Sequence, residues 1–464
     1  MNPLPLQLTR RVELVCPQCL SEALETGDEA LRCGRCGNRY AVQDSIPVFG
    51  EQGTTFDWGV EPGRIEQALR EADRVGWHDA LMGLCQALDP EQAELFWLRA
   101  LGYRRLALQM VLPLGRHARV LDLGSGWGTI ALHVAQVCER VVAFDQVGLH
   151  LRWLRAASRE RGLSNITLVQ GGDTAHLPFP AESFDAVILN GVLEHVAANA
   201  TGDPTTVQQR LLTDVARVLK PSGQVYIGIE NRLNYKYFLG VREGHIRMKY
   251  GALLPRRVTR WYLRWARNQP FREYTYSLFG YRKLLGRAGL SHRRFFAPWP
   301  TYSSAGEFFP VQQTRRTAFW EVQSQHPAAR WPGWYFTRAF AVTGSTAEPA
   351  PTLIEKVLQE IALRAERPLP WTLKGCVFKA SSGGKATIRL AVGEGAEWHV
   401  QVGLSQLASQ RISAQHRALS KLQTSSLPDA LKRRIPVSLM TGEVDGYVYG
   451  ARTAARPCPP SASG

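Results

Sequence analysis

Long apolar runs are missing. Nowhere in the 464 residues is there a stretch of about 18 apolar residues, the length that crosses a hydrocarbon core. Arg10 and Arg11 are followed by no apolar segment of the kind a secretory signal carries. These two absences set a soluble, cytoplasmic protein as the expectation. Cysteine is also scarce, at 8 residues, which is too few for a disulfide scaffold in a chain this long. Acids are in deficit as well, with 40 Asp+Glu against 56 Lys+Arg, a net charge of +16. That balance disfavours a cationic partner and favours an anionic one: nucleic acid, anionic lipid or a phosphorylated substrate. Apolar residues, at 45%, are plentiful enough for buried cores, so disorder is excluded as the theme.

The charge is uneven. Residues 232–295 hold sixteen Lys and Arg but only two acids, Glu243 and Glu273, so most of the net charge lies in this one stretch.

The chain is organised around Val120–Gly128, V-L-D-L-G-S-G-W-G. An apolar run ends in glycines at 124, 126 and 128 and leads into a helix-compatible stretch from Thr129, the pattern of a strand, a tight turn and a helix start. Glycine permits positive φ and close approach of the backbone to a ligand, and the N–H groups of a first helical turn point at negative charge. The dinucleotide fingerprint G-x-G-x-x-G is not met, because Thr129 follows Gly128. With Asp122 two residues before the first glycine, the stretch instead resembles the cofactor loop of class I S-adenosylmethionine methyltransferases. The resemblance implies a Rossmann-like doubly wound α/β sheet. It also implies that Asp122, Gly124, Ser125, Gly126 and Gly128 hold S-adenosylmethionine.

Strand and helix patterns alternate from 116 to about 229, as a parallel sheet covered on both faces requires. The strand candidates are Val120–Leu123, Val141–Phe144, Ile166–Val169, Ala186–Leu189 and Val225–Ile229. Asp145 ends the second, where a carboxylate can take both ribose hydroxyls. Asp173 follows the third and matches the family position that meets the adenine amino group; a helix N-cap is its plainer reading. The fourth runs into Asn190-Gly-Val-Leu-Glu-His195, which resembles the same strand in small-molecule and glycan methyltransferases, followed by a helix over Leu211–Lys220 and then Pro221-Ser-Gly. Asn190 is assigned to the cofactor. His195 is the candidate base for an acceptor hydroxyl, since imidazole takes a proton near neutral pH. Glu194 is expected either to orient it or to ligate an auxiliary divalent ion. There is no N-P-P-Y at 190–193 and no Pro-Cys pair, which disfavours base methylation by those two routes.

At the N-terminus, Cys16-Pro-Gln-Cys19 and Cys33-Gly-Arg-Cys36 are two C-x-x-C knuckles, a tetrahedral Zn2+ pattern. With Asn38–Val48 they resemble the small zinc ribbons that precede or activate several methyltransferases. Leucines and Ile65 recur at helical spacing over 61–112, a helical cap in front of the first strand.

Within the basic stretch, the spacing predicts a helix over Leu253–Arg267. Leu254, Val258, Trp261, Tyr262 and Trp265 fall on one face, and Arg256, Arg257, Arg260, Arg264 and Arg267 on the others. Such a helix can lie on an anionic membrane surface, hold phosphates, or pack its aromatics inward. E-N-R-L-N-Y at 230–235 and Y-R-K-L-L-x-x-A-G-L at 281–290 resemble stretches of methyltransferases for bacterial surface polysaccharides.

Gly344–Thr352 reads as a linker. Beyond it, strands over Gly375–Lys379, Lys385–Val392 and Trp398–Val402, a glycine turn at Ser381–Gly384 and a helix over Gln415–Leu422 resemble the N-lobe of aminoglycoside-type phosphotransferases. Val400-Gln401-Val402 stands where the phosphate-contacting lysine belongs. No catalytic-loop aspartate follows before the Ala/Pro/Ser-rich tail, so this α+β kinase-N-lobe-like unit is expected to be inactive.

The organisation expected is a zinc ribbon (1–50), a helical cap (51–115), a methyltransferase domain (116–343) with a basic aromatic insertion (232–295), a linker (344–352), the phosphotransferase-like domain (353–452) and a tail (453–464). The expected function is O-methylation of a cell-envelope glycan or glycolipid, with peripheral contact at the inner face of the membrane. Methylation of RNA is the first alternative, and a cofactor-binding scaffold without turnover the second.

Overall fold

A computed structural model of the chain describes residues 13–27, 29–50, 60–100, 102–311, 320–322, 333–367, 371–379, 383–392 and 397–454. The start of the helical cap (51–59), Ser381 and Ser382, Arg10 and Arg11, and the tail from 455 lie outside them.

The four cysteines sit on the turns of a small antiparallel unit: β1 (Leu24–Thr26), β2 (Ala30–Cys33), β3 (Arg39–Gln43) and β4 (Ile46–Phe49). The cap follows as α1 (Pro62–Val75), α2 (Trp77–Gln86), α3 (Pro90–Ala100) and a 3-10 stretch, Tyr103–Val111. Its apolar face is the one the leucine spacing marks: Ile65, Leu81 and Leu84 are buried.

β5 (Arg119–Leu123) opens the α/β core and is buried from Val120 onward, as a central parallel strand must be. α4 (Thr129–Val134), β6 (Arg140–Asp145), α5 (Gly148–Glu160), β7 (Ile166–Gly171), β8 (Phe184–Asn190), α6 (Pro204–Val218) and β9 (Leu219–Glu230) complete the winding. β7, β6, β5, β8 and β9 are neighbours in that order and all parallel. β5 is therefore flanked by β6 on one side and β8 on the other, which makes its C-terminal end the topological switch point where open α/β sheets bind ligands. α6 starts seven residues before the expected Leu211, because Asp203 accepts the Thr205 and Thr206 N–H groups and Pro204 suits the first turn. It ends at Val218, and Lys220–Gly223 belongs to β9.

The insertion contains α7 (Tyr235–Phe238) and α8 (Arg256–Arg267). The expected helix is present, with Leu254 and Tyr262 half-buried, but its indoles do not pack inward. α8 buries Thr259 and Leu263, while Val258, Trp261 and Trp265 are exposed. Arg256 donates to the Thr275 carbonyl and lies over the Tyr274 and Tyr276 rings. Arg267 donates to the Ile246 carbonyl.

α9 (Leu278–Arg287), β10 (His292–Trp299), β11 (Glu307–Pro310), β12 (Trp320–Val322) and β13 (Ala339–Ser345) come next. β13 inserts antiparallel between β9 and β10. The expected linker is docked rather than loose: Gly344 and Ser345 lie in β13, and the Ala347 and Ala350 N–H groups donate to the carbonyls of Pro221 and Ser222.

Thr352 and Glu355 then form a reciprocal cap on α10 (Leu353–Arg364). β14 (Trp371–Lys379), β15 (Lys385–Ala391), β16 (Glu397–Gly403), α11 (Gln406–Thr424), α12 (Asp429–Lys432), β17 (Ser438–Val444) and β18 (Tyr447–Thr453) finish the chain. The order β14-β15-β16-β18-β17 is antiparallel throughout. The unit is fused to the rest. β14 pairs with β11 and β12, Gln109 bridges the Leu404 carbonyl and the Tyr447 hydroxyl, and Lys356 donates to the Leu114 carbonyl at 3.3 Å.

Candidate active site

The glycine turn, the ends of β6, β7, β8 and β9, and the insertion enclose a cavity of about 1000 Å3. That is the upper end of the usual range for small-molecule sites, about 300–1,000 Å3, with room for two ligands side by side.

On one side the turn does the positioning. Gly124 (φ 75°) brings its backbone so close to Val192 that a Cβ would lie 2.5 Å from that side chain. The Gly124 and Ser125 N–H groups are anchored on the Phe144 carbonyl, and the Gly126 N–H donates to Asp145 Oδ2 at 2.7 Å. Asp145 Oδ1 accepts the Val147 N–H at 2.9 Å, so this carboxylate is fixed at the rim of β6 and faces the cavity. Ser125 Oγ and both polar atoms of the Asn190 amide are buried with no hydrogen-bond partner among the described residues. Ser125 and Asn190 both line the cavity. Buried polar groups are normally satisfied, so these orphaned atoms mark the wall that expects a polar ligand.

Gly124, Ser125, Gly126, Asp145, Asp173, Asn190 and His195 all reach the cavity. Asp122, Gly128 and Glu194 stand behind its wall. Asp122 is buried, accepts the Ala131 N–H at 3.1 Å, and is pushed up to about 7 by that burial. Gly128 (φ 82°) serves packing, since a Cβ there would meet Leu154 at 2.3 Å. Asp173 caps no helix. It sits in the loop after β7, paired with Arg210.

The other side of the cavity carries the titratable groups. His195 Nδ1 lies 2.7 Å from Glu273 Oε1, 78 residues further along the chain. A proton on Nδ1 donated to Glu273 leaves Nε2 as the basic nitrogen, so the pair is built to accept a proton and stabilise the resulting imidazolium. The expectation that Glu194 orients His195 is corrected: its Oε1 is 3.9 Å from Nε2, beyond hydrogen-bond reach. Glu194 instead faces Tyr302, whose hydroxyl is 3.5 Å from Glu194 Oε1 and 2.9 Å from Glu230 Oε1.

These acids are not equivalent. Complete burial, and then the charge of Glu230, raises Glu194 well above the ordinary carboxylate range, so it is the protonated member. Burial opposes ionisation of Glu230 too, but His245, 3.7 Å away, holds it low. Burial opposes the charge on His245, yet the surrounding carboxylates raise it to about 10. The donor atoms of His195, His245 and Glu273, and those of Glu194, Glu230 and His245, each gather within 4.8 Å. Such groups could hold a cation.

Glu273, His245, Glu230 and Tyr302 were not singled out in the sequence. One signal was there: Glu243 and Glu273 are the only acids of the basic stretch, and both turn inward to this network.

At the N-terminal unit, the four cysteine sulfurs converge. Cys16 and Cys36 are 3.5 Å apart, Cys19 and Cys33 3.7 Å, and all four lie within 4.8 Å of one another. β4 adds to the sheet beside β7, and the Val15 N–H and the Pro17 carbonyl bond to Pro178 and His176, so this unit braces the loop that carries Asp173.

Residues 121–227 match the family described as "Methyltransferase domain". The demethylmenaquinone methyltransferase of Tropheryma whipplei (strain Twist) is 34% identical over 146 residues, which cover 31% of this chain and 54% of that protein. The ubiquinone biosynthesis O-methyltransferase of Xanthomonas axonopodis pv. citri (strain 306) is 32% identical over 124 residues, 27% of this chain and 48% of that one. The chain thus spans about half the length of these curated relatives. Among solved structures, the YcgJ protein of Bacillus subtilis is 16% identical with a TM-score of 0.31, over 53% of this chain and 99% of that one. Residues 121–227 are an S-adenosylmethionine-dependent methyltransferase domain.

Proposed function

We propose that the whole chain methylates a hydroxyl oxygen of a cell-envelope glycan or glycolipid. The observation that supports this most is the His195–Glu273 pair at 2.7 Å, which shares one cavity with the Gly124–Gly126 turn and Asp145.

The residues on the turn side fit S-adenosylmethionine. Asp145 offers a fixed carboxylate to ribose hydroxyls, Asp173 lines the cavity where the base would lie, and Ser125 and Asn190 have unfilled hydrogen-bonding capacity for its polar groups. Bound there, the cofactor supplies an electrophilic methyl group. His195 Nε2 would take the proton of an acceptor hydroxyl held in the cavity, and Glu273 would compensate the charge that then appears on the imidazole. Holding both partners in one cavity removes much of the entropic barrier to displacement.

Cys16, Cys19, Cys33 and Cys36 are read as a structural Zn2+ site: four sulfurs about 2.3 Å from one ion stand roughly 3.8 Å apart, close to the separations present. The C-terminal unit is read as a phosphotransferase-like lobe without kinase activity. The buried Gln401 occupies the lysine position, and the unit's contacts with 103–116 suit a bracing role.

A second reading, a lipid-soluble quinone precursor as the acceptor, draws on the names of the two curated relatives. RNA methylation draws less support, because Arg232, Arg256, Arg267 and Arg272 spend their donors on backbone carbonyls of this chain. Incubation of the purified protein with methyl-labelled cofactor and separate polysaccharide, lipid and RNA fractions tests the proposal. Label in glycan or glycolipid is the expected result, label in a quinone lipid selects the second reading, and label in RNA alone overturns both. Tight cofactor binding with no label in any fraction points to a scaffold.

A further inference from the structure

Among the described residues, α8 is built inside out for a helix on a globular body. Thr259 and Leu263 face inward, and Arg256, Arg260 and Arg267 turn toward Thr275, Tyr274 and Ile246. Its two large indoles point to solvent. Trp261 is 64% and Trp265 74% exposed, stacked on each other with ring planes 1° apart and centroids 5.8 Å apart. Two neighbouring tryptophans in water cost hydrophobic free energy that nothing inside this fold recovers.

The rest of the insertion has the same character. Phe238 at the end of α7, and Leu239 and Val241 just after it, are exposed, Leu239 by 75%. The only carboxylate between Arg232 and Arg272 is Glu243, and it is buried, its side chain accepting the His245 and Ile246 N–H groups. The exposed charges are therefore all positive, with Arg242, Arg247, Lys249, Arg257 and Arg264 among them.

We propose that this insertion seats the protein on an anionic lipid bilayer, with Trp261 and Trp265 at the headgroup level and the flanking Arg and Lys side chains against lipid phosphates. Charge complementarity selects the occupant. An exposed apolar and aromatic surface framed by cations, with no exposed acid, matches the acyl boundary and the anionic headgroups of a membrane. A free polyphosphate would leave the indoles and Leu239 without a partner, and RNA, whose bases can stack on the indoles, would still leave the aliphatic Leu239 and Val241 in water. Lys236, Val241, Arg242 and Arg247 also line the cavity, so the docked segment is continuous with the wall of the site, and an acceptor anchored in the bilayer is met where it lies. Docking does not depend on which acceptor is methylated.

Flotation with vesicles tests this. The full chain is mixed with vesicles of phosphatidylcholine alone, or of phosphatidylcholine with 30% phosphatidylglycerol as the probe composition, and the Trp261→Ala, Trp265→Ala double variant is run beside it. The expected result is that wild type floats only with the anionic vesicles, that 0.5 M NaCl releases it, and that the double variant partitions about tenfold more weakly. Its cofactor affinity should be unchanged, which shows that it is folded, because neither tryptophan lines the cavity. Equal recovery on both vesicles, no flotation at all, or flotation indifferent to the double substitution would overturn the proposal. So would retention on a single-stranded RNA that the double substitution abolishes while vesicles are ignored. The wild-type lipid and salt dependence decides the matter even if the variant does not fold. Loss of flotation with methyl transfer retained separates failure here from failure of the functional reading.

Discussion

His195 Nδ1 and Glu273 Oε1 are 2.7 Å apart although the two residues belong to segments 78 residues distant, one in the loop after β8 and one within the insertion. The insertion is thus what brings the Glu273 carboxylate within hydrogen-bond reach of His195 Nδ1.

Replacing Glu273 by Gln keeps the shape but removes the charge that stabilises the imidazolium. The expected result is a fall in kcat of about 10- to 100-fold, less than the roughly 100- to 10,000-fold attributed to the acid–base group itself, because Glu273 acts through His195. The cofactor KM should be unchanged. Hydrogen bonding from His195, with the charge of His245, holds the Glu273 carboxyl below its usual range against the effect of burial. Its contribution is therefore present above the ordinary carboxylate pKa and disappears only as pH falls below it. Rate measured against pH should show wild type and Glu273→Gln converging at the acid end.

Asp145→Ala should weaken cofactor binding by about 10- to 100-fold, since a charged hydrogen-bonding group is worth roughly 1.5–3 kcal/mol. It also releases the Gly126 and Val147 N–H groups. Titration calorimetry with S-adenosylmethionine checks this, and an affinity equal to wild type would remove Asp145 from the site.

Glu194 and Glu230 should respond oppositely to the same substitution. Glu194 is protonated in the fold, so Glu194→Gln replaces one neutral group by another and should leave Tm nearly unaltered. Glu230→Gln strips the counter-charge from His245 and should cost about 1–3 kcal/mol. The sign follows from the shifts. His245 is raised to about 10, so its contribution is complete below about 6.5 and is lost as pH rises through 10. Glu230 is lowered to about 2, so its contribution is present above about 4.5 and is lost as pH falls toward 2. Thermal unfolding of the three proteins from about pH 2 to about pH 11 checks both claims.

If the cysteine cluster holds Zn2+, elemental analysis should find one ion per chain, and Cys19→Ser should lose it together with a lowered Tm. Because the ribbon braces Pro178 and His176, cofactor affinity should fall as well. Full affinity in a zinc-free variant would separate the ribbon from the site.

The sequence displayed what local chemistry dictates. Gly124 and Gly126, the buried runs of the five parallel strands and the two C-x-x-C knuckles each constrain the backbone within a few residues, and each can be read in place. The partner of His195 was not readable, because neighbouring Glu194 looks like the natural orienter until the fold buries it against Tyr302 and Glu230. Glu273 reaches the site only through the packing of the insertion, a long-range event that periodicity does not encode. The same holds for α8, whose spacing gave the helix but not which face turns inward: arginines can bury when carbonyls and rings receive them, as Thr275, Tyr274 and Tyr276 do here. The docking of Ala347 and Ala350 on β9 likewise follows from Pro221 and Ser222 offering free carbonyls, not from the composition of the linker.

The most direct test of the account pairs two readings on His195→Ala: cofactor affinity by calorimetry and methyl transfer from labelled cofactor into an envelope glycolipid fraction. The prediction is unchanged cofactor affinity with transfer reduced about 100-fold or more. Transfer at the wild-type rate in His195→Ala would contradict it.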